Sequence, residues 1–263
     1  MNASKYLTQK TYHLPWKAFF NGLSFIYGRF EQQSSQKELN EYVLKLLFNM
    51  YNRLGFSDRA DNTYLDKLNR KIILQWACQL NKAECVSTAK NLFMHWRKDN
   101  SVRIPTNARP AIYCTAIKEG QTDDWEFLWS QYLLTNFATE KKIIINALGY
   151  STNETVLQNY LEKAIEKYDP ASAAIRRQDV SAVFASVYNA GSVGVNVTFN
   201  FLTTNTTALY QYFGRWDKVA DLFVNVASQD IERGSIQNDP VIHENKITFR
   251  SHYCGNQLVL VQK

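Results

Sequence analysis

Apolar residues recur along most of this chain at steps of three and four, separated by short polar breaks. That spacing is the mark of successive amphipathic helices. The pattern is densest between residues 65 and 134. There Leu65, Leu68, Ile72, Trp76 and Leu80 line one face of a predicted helix, and Val86, Ala89, Phe93 and Trp96 line the next. The short break at residues 81–82 must fold the second helix back onto the first. A third stripe, Trp125, Leu128, Trp129, Tyr132 and Leu133, follows a bend carrying Gly120. Such stripes need other helices to cover them, and the flanking sequence supplies them.

Upstream, Pro15 suits a first helical turn, and Trp16, Phe19, Phe20, Leu23, Ile26, Tyr27 and Phe30 follow at helical spacing. Ser35 and Glu38 read as a capping box that opens a second helix, ended by Gly55. A polar loop over residues 58–62 precedes the central helices. Pro105 closes another connection before a short helix carrying Ile112, Tyr113, Ala116 and Ile117. Asp123 and Glu126 place acids where they oppose the positive end of a helix dipole. Residues 139–148 form a short helix stopped by Gly149, Ser151 and Glu154 cap its successor, and Asp169-Pro170 breaks the chain. Further stripes run through Val180, Val183, Phe184 and Val187, then Val195, Phe199 and Leu202, then Trp216, Val219, Leu222, Phe223 and Val226. Several of these residues are β-branched, but the spacing favours helices. After about Ser228 the periodicity stops, and residues 231–263 read as an irregular tail.

With 263 residues the chain can bury a substantial core, as one large domain or two small ones. Hydrophobic residues make up 45% of it, which excludes a disordered chain. Only ten glycines and five prolines argue against a turn-rich sandwich. The formal net charge is +6, yet the basic residues are scattered. Their densest cluster, Lys67, Arg70 and Lys71, stands beside Asp66 and reads as a solvated helix face rather than a nucleic-acid footprint. No apolar run reaches the ~18–20 residues of a membrane span, and residues 1–13 lack the apolar region of a signal peptide. Sequons stand at Asn2, Asn153, Asn196 and Asn205. Chance alone gives roughly three for this composition, so their number says nothing about secretion.

Several ordered strings carry a family resemblance. Leu74-Gln75-Trp76-Ala77-Cys78, then Cys85, then Ile112-Tyr113-Cys114-Thr115-Ala116-Ile117-Lys118-Glu119-Gly120 and Trp125-Glu126-Phe127-Leu128-Trp129 resemble the C-terminal helical domain of M1-family zinc aminopeptidases, nearest the aminopeptidase N branch. Leu14-Pro15-Trp16-Lys17 and Ile175-Arg176-Arg177-Gln178-Asp179 extend the likeness, which runs over roughly residues 12–228. The resemblance implies an all-α fold, a curved array of antiparallel helical hairpins like a HEAT or armadillo α-solenoid. In the family this domain closes over the catalytic domain, walls off the substrate cavity and mediates dimer contacts.

Chemistry is sparse. An M1 peptidase needs His-Glu-x-x-His on a helix, which puts two imidazoles on one face with the glutamate as base. Here His243-Glu244 is followed by Ile247 where the second histidine belongs, and the substrate-amine motif Gly-Ala-Met-Glu-Asn is absent. No catalytic or metal-ligating residue is therefore assigned, and zinc is expected only in the catalytic domain of a full-length relative. His13, His95 and His252 are isolated and read as structural. The resemblance implies a disulfide between Cys78 and Cys85. On one straight helix the pair would stand ~10 Å apart, beyond a disulfide's reach, and a turn at residues 81–82 brings them within range. The residues alone equally allow two reduced core thiols. Cys114 departs from the family, because Ala147-Leu148-Gly149 is followed by Tyr150 where the usual partner cysteine stands. Cys114 is then a buried free thiol or a partner of Cys254. Arg176, Gln178 and Asp179 either face the enclosed peptide chamber of a whole enzyme or form a structural ion pair joining two helices.

The domain reading is residues 12–230 as a helical M1-type C-terminal domain and 231–263 as a divergent tail. Its partners are a peptide substrate held by a full-length enzyme, a catalytic domain or a second copy, with no nucleic acid and no membrane span. The parent family is extracellular or at the cell surface. The chain reads as a fragment of a longer aminopeptidase or a descendant that has lost its chemistry. A free-standing helical-repeat binding module is the alternative.

Overall fold

The structure, a computed structural model, describes residues 6–30, 33–166 and 174–233. Twelve α-helices account for most of them, with two 3-10 turns (Tyr6–Gln9 and Arg177–Asp179) and no strand among the described residues. In chain order they are α1 (His13–Phe30), α2 (Gln36–Leu54), α3 (Tyr64–Gln79), α4 (Ala83–Lys98), α5 (Arg109–Glu119) and α6 (Thr122–Leu134). Then come α7 (Ala138–Leu148), α8 (Glu154–Ala164), α9 (Val180–Ala190), α10 (Ser192–Thr204), α11 (Thr206–Phe213) and α12 (Trp216–Arg233). The break at Asp169-Pro170, the tail from residue 234, the His243-Glu244 string and Cys254 lie outside the described residues.

Packing follows a simple rule. The odd-numbered helices form a row in which α1 meets α3, α3 meets α5, α5 meets α7 and α7 meets α9. Even-numbered helices lie against them: α2 on α3, α4 between α3 and α5, α6 between α5 and α7, and α8 on α9 and α10. The last helix, α12, returns to touch α9, α10 and also α1. Each helix therefore buries one stripe or two, and one continuous core runs from Leu7 to Val226. Aromatic contacts join the helices. Phe20 of α1 stacks on Trp76 of α3 at 5.2 Å, Trp96 of α4 stacks on Tyr113 of α5 at 5.2 Å, and Trp125 of α6 meets Tyr160 of α8 edge-on at 5.5 Å. Each such pair adds about 0.5–1.5 kcal/mol beyond its burial.

Three expectations need correction. Arg70 does not belong to a solvated face: it is wholly buried on α3. Its guanidinium donates to the Leu54 and Gly55 carbonyls at 3.2 Å and bonds the Asp58 carboxylate and the Asn62 side chain. The polar loop over residues 58–62 is thus its receptor. Consistent with this rotation, Leu65 is 45% exposed, while Asp66, Asn69 and Arg70 are buried. The outer stripe on α6 ends early in the same way, with Leu133 half-exposed.

Helix caps also differ. Ser35 makes no side-chain cap on α2. Asn153, not Ser151, caps α8, its Oδ1 accepting from the Thr155 and Val156 amides. A reciprocal box forms instead at Thr63 with Asp66, and at α6 the Asp124 carboxylate accepts from the Gln121 amide. Asn153 can take the capping position because a short polar side chain in extended backbone reaches an orphan amide. Gly55 and Gly149 do end α2 and α7 as expected, Gly55 with a positive φ of 51°. The short α11 has no counterpart in the sequence reading; its eight residues bury only Leu209.

Candidate functional site

Helices α1, α2, α3, α5 and α9, with the returning α12, line an open cavity of about 920 Å³. Its wall is assembled from these six helices and the turn after α3. Phe25 and Tyr27 of α1 and Trp76 of α3 supply aromatic surface. Lys37 and Glu41 come from α2 and Lys118 from α5, so the charged groups sum to one positive charge. Side-chain amides dominate the remainder, with Asn40 on α2, Gln79 and Asn81 at the end of α3, and Asn189 on α9. Burial raises the Tyr27 hydroxyl above its ordinary pKa, while hydrogen bonds from Gln36 and Asn40 oppose the shift. The Asn40 Oδ1 is buried with no partner among the described residues. A wall of amides, hydroxyls and aromatic faces with little net charge can hold a neutral, hydrogen-bonding chain, but it offers no nucleophile paired with a base.

Arg176 and Asp179 form an ion pair at 2.6 Å that leaves Asp179 5% exposed, while Gln178 is exposed. None of the three lines the cavity. Arg176 and Asp179 sit instead beside Tyr132, whose hydroxyl is buried without a partner among the described residues. Burial, with the Asp179 charge added, pushes that hydroxyl up to about 12.

Cys78 and Cys85 are joined by a disulfide across the α3–α4 turn, with Cα atoms 5.1 Å apart. The Asn81 φ of 58° makes that reversal, a left-handed conformation that asparagine tolerates. A bridge closing so short a loop contributes about 2 kcal/mol on the chain-entropy account. It pins the stripe containing Trp76 to the one containing Phe93. Cys114 is a free, half-buried thiol near Asn146; burial of its sulfur pushes it up to about 12.

Zinc, which the resemblance implies for a whole enzyme, does not fit these residues. Among the described residues no group of three or more His, Cys, Asp or Glu is placed to hold a metal ion. His13 is hydrogen-bonded to Asn69 at 3.0 Å and His95 is exposed on α4. No helix among the described residues is long and apolar enough to cross a membrane.

The chain belongs to the ERAP1-like C-terminal domain family, whose model matches residues 1–234. It is 26% identical over 206 residues to a membrane alanyl aminopeptidase of Manduca sexta, covering 78% of this chain and 20% of the relative. Aminopeptidase Ey of Gallus gallus is 29% identical over 219 residues, covering 81% and 22%. Aminopeptidase N of Canis lupus familiaris is 27% identical over 220 residues, with the same coverage. The chain spans about a fifth of the length of these curated relatives, and corresponds to the C-terminal part of aminopeptidase N-type enzymes.

Proposed function

We propose that this chain serves as the non-catalytic C-terminal helical domain of an M1 zinc aminopeptidase that removes N-terminal residues from peptides, and that it walls the substrate chamber. Residues 12–230 form the domain, a curved array of antiparallel hairpins of the HEAT or armadillo kind, and 231–263 a separate tail. The family match over residues 1–234 carries the reading, and the amide-lined cavity supports it, since extended peptide presents complementary N–H and C=O groups. The zinc belongs to the catalytic domain, the partner is that domain or a second copy, and the compartment is extracellular or the cell surface. Arg176, Gln178 and Asp179 lie apart from this cavity, and Arg176 with the buried Asp179 serves as a structural ion pair at the entry to α9.

The isolated chain is expected to show no aminopeptidase turnover. Its sequence lacks His-Glu-x-x-His, so it cannot set a zinc-bound water against a scissile carbonyl. Purified protein is assayed on aminoacyl fluorogenic substrates while elemental analysis measures zinc. Turnover that tracks stoichiometric zinc would overturn the non-catalytic assignment.

A further inference from the structure

Among the sequons in described residues, the helices distinguish three local geometries that the sequence treats alike. We propose that Asn153 is an N-glycosylation site, the acceptor for an oligosaccharide carried on a polyprenyl diphosphate. Asn153 is exposed in the turn between α7 and α8, with extended backbone at φ −88°, ψ 111°. Its side chain caps α8 through the oxygen alone: Oδ1 accepts from Thr155 N at 3.0 Å and Val156 N at 3.3 Å. The nitrogen makes no hydrogen bond among the described residues. A sugar on Nδ2 therefore leaves both capping bonds in place, and the amide keeps its carbonyl. Thr155, whose hydroxyl completes the sequon, is exposed as well.

The other two sites lack this arrangement. Asn205 commits its nitrogen to Phe201 O at 3.1 Å and Thr204 Oγ1 at 3.0 Å, in the half-buried joint between α10 and α11. Replacing an amide hydrogen there breaks one of those bonds. Asn196 is exposed, but it lies mid-way along α10, and its sequon hydroxyl on Thr198 is wholly buried and bonded to Gly194 O at 2.7 Å. Glycans are bulky and belong on surface loops, which Asn153 alone of the three supplies.

The transfer is redox-neutral. Asn153 Nδ2 forms a bond to the anomeric carbon of the first sugar as that carbon's bond to the diphosphate oxygen breaks. The polyprenyl diphosphate leaves with the electron pair, and the amide gives up one proton to a base of the transferase. The inference rests on the proposed function for the compartment alone, where the transferase acts.

The full chain is expressed in a eukaryotic cell line behind a cleavable secretion signal, and glycopeptides are mapped after amidase release. Most molecules are expected to carry a glycan at Asn153. The mobility step it causes disappears in Asn153→Asp and in Thr155→Ala. Aspartate caps a helix as well as asparagine, so yield and helicity are expected to hold in the first variant. If the chain is retained in the cell, the lumenal fraction is mapped instead. Asn153 found unmodified in folded protein, or glycans found only at Asn196 or Asn205, would overturn the site. Because the signal is supplied, that failure leaves the domain reading untouched. Failure of the chain to serve an aminopeptidase catalytic part leaves the glycan site untouched in turn.

Discussion

Replacing Arg70 with methionine is expected to cost about 3 kcal/mol of folding free energy, near the lower end of what breaking a buried ionic network costs. The guanidinium is wholly buried and spreads its donors over the Leu54 and Gly55 carbonyls, Asp58 and Asn62. Those carbonyls end α2, where four C=O groups of any helix lose their internal partners. Methionine fills much of the volume but donates nothing, so the carbonyls are left dry and the loop over residues 58–62 loses its anchor. Asp58 is 42% exposed and can rehydrate, which holds the figure below the upper end. Arg70→Lys keeps the charge without the fork, and an intermediate loss is expected. Urea unfolding reads both from the midpoint at an unchanged slope. A methionine variant within 1 kcal/mol of the parent would show that the network does not hold α2 to α3.

Alanine at Gly194 and at Gly22 is expected to act in opposite directions. Both glycines lie in helices, where alanine is intrinsically favoured by about 1 kcal/mol. At Gly194 a Cβ would stand 1.9 Å from Val187 O and 2.8 Å from Val187 C, backbone atoms of α9 that cannot swing aside. The α9–α10 pair must then separate, at about 3 kcal/mol or more, the upper range for overpacking. A Cβ on Gly22 of α1 meets nothing within 4 Å, so Gly22→Ala is expected to gain about 0.5–1 kcal/mol. Thermal unfolding of the two variants decides this. A stable Gly194→Ala protein would mean that α9 and α10 do not approach so closely.

Helix existence was legible because a stripe repeated at 3.6 residues survives almost any tertiary arrangement. Which face a neighbour covers was less so. On α3 the apolar count pointed to Leu65 and Leu68, yet contacts with α1, α2, α4 and α5 turn Asn69 and Arg70 inward. Arginine in a sequence reads as surface, and the carbonyls at the end of α2, with Asp58 and Asn62 of the following loop, explain its burial. Caps were misread for a similar reason. Ser35 and Ser151 fit the motif, but Gln121 and Asn153 stand where the backbone is extended. The pairing of Cys78 with Cys85 came from the resemblance, and the turn at Asn81 shows how the chain permits it. The cavity could not be read from the sequence, because Phe25, Asn40, Trp76, Lys118 and Asn189 come from five helices spread over the chain. No local spacing joins them.

The most direct test is complementation. An aminopeptidase N catalytic part, cut just before its own C-terminal helical domain, is co-expressed with this chain through the secretory route. Co-purification of the two, with peptide hydrolysis recovered above that of the catalytic part alone, is the expected result. A folded, disulfide-bonded chain that neither binds the catalytic part nor changes its turnover would contradict the assignment and favour a free-standing binding module.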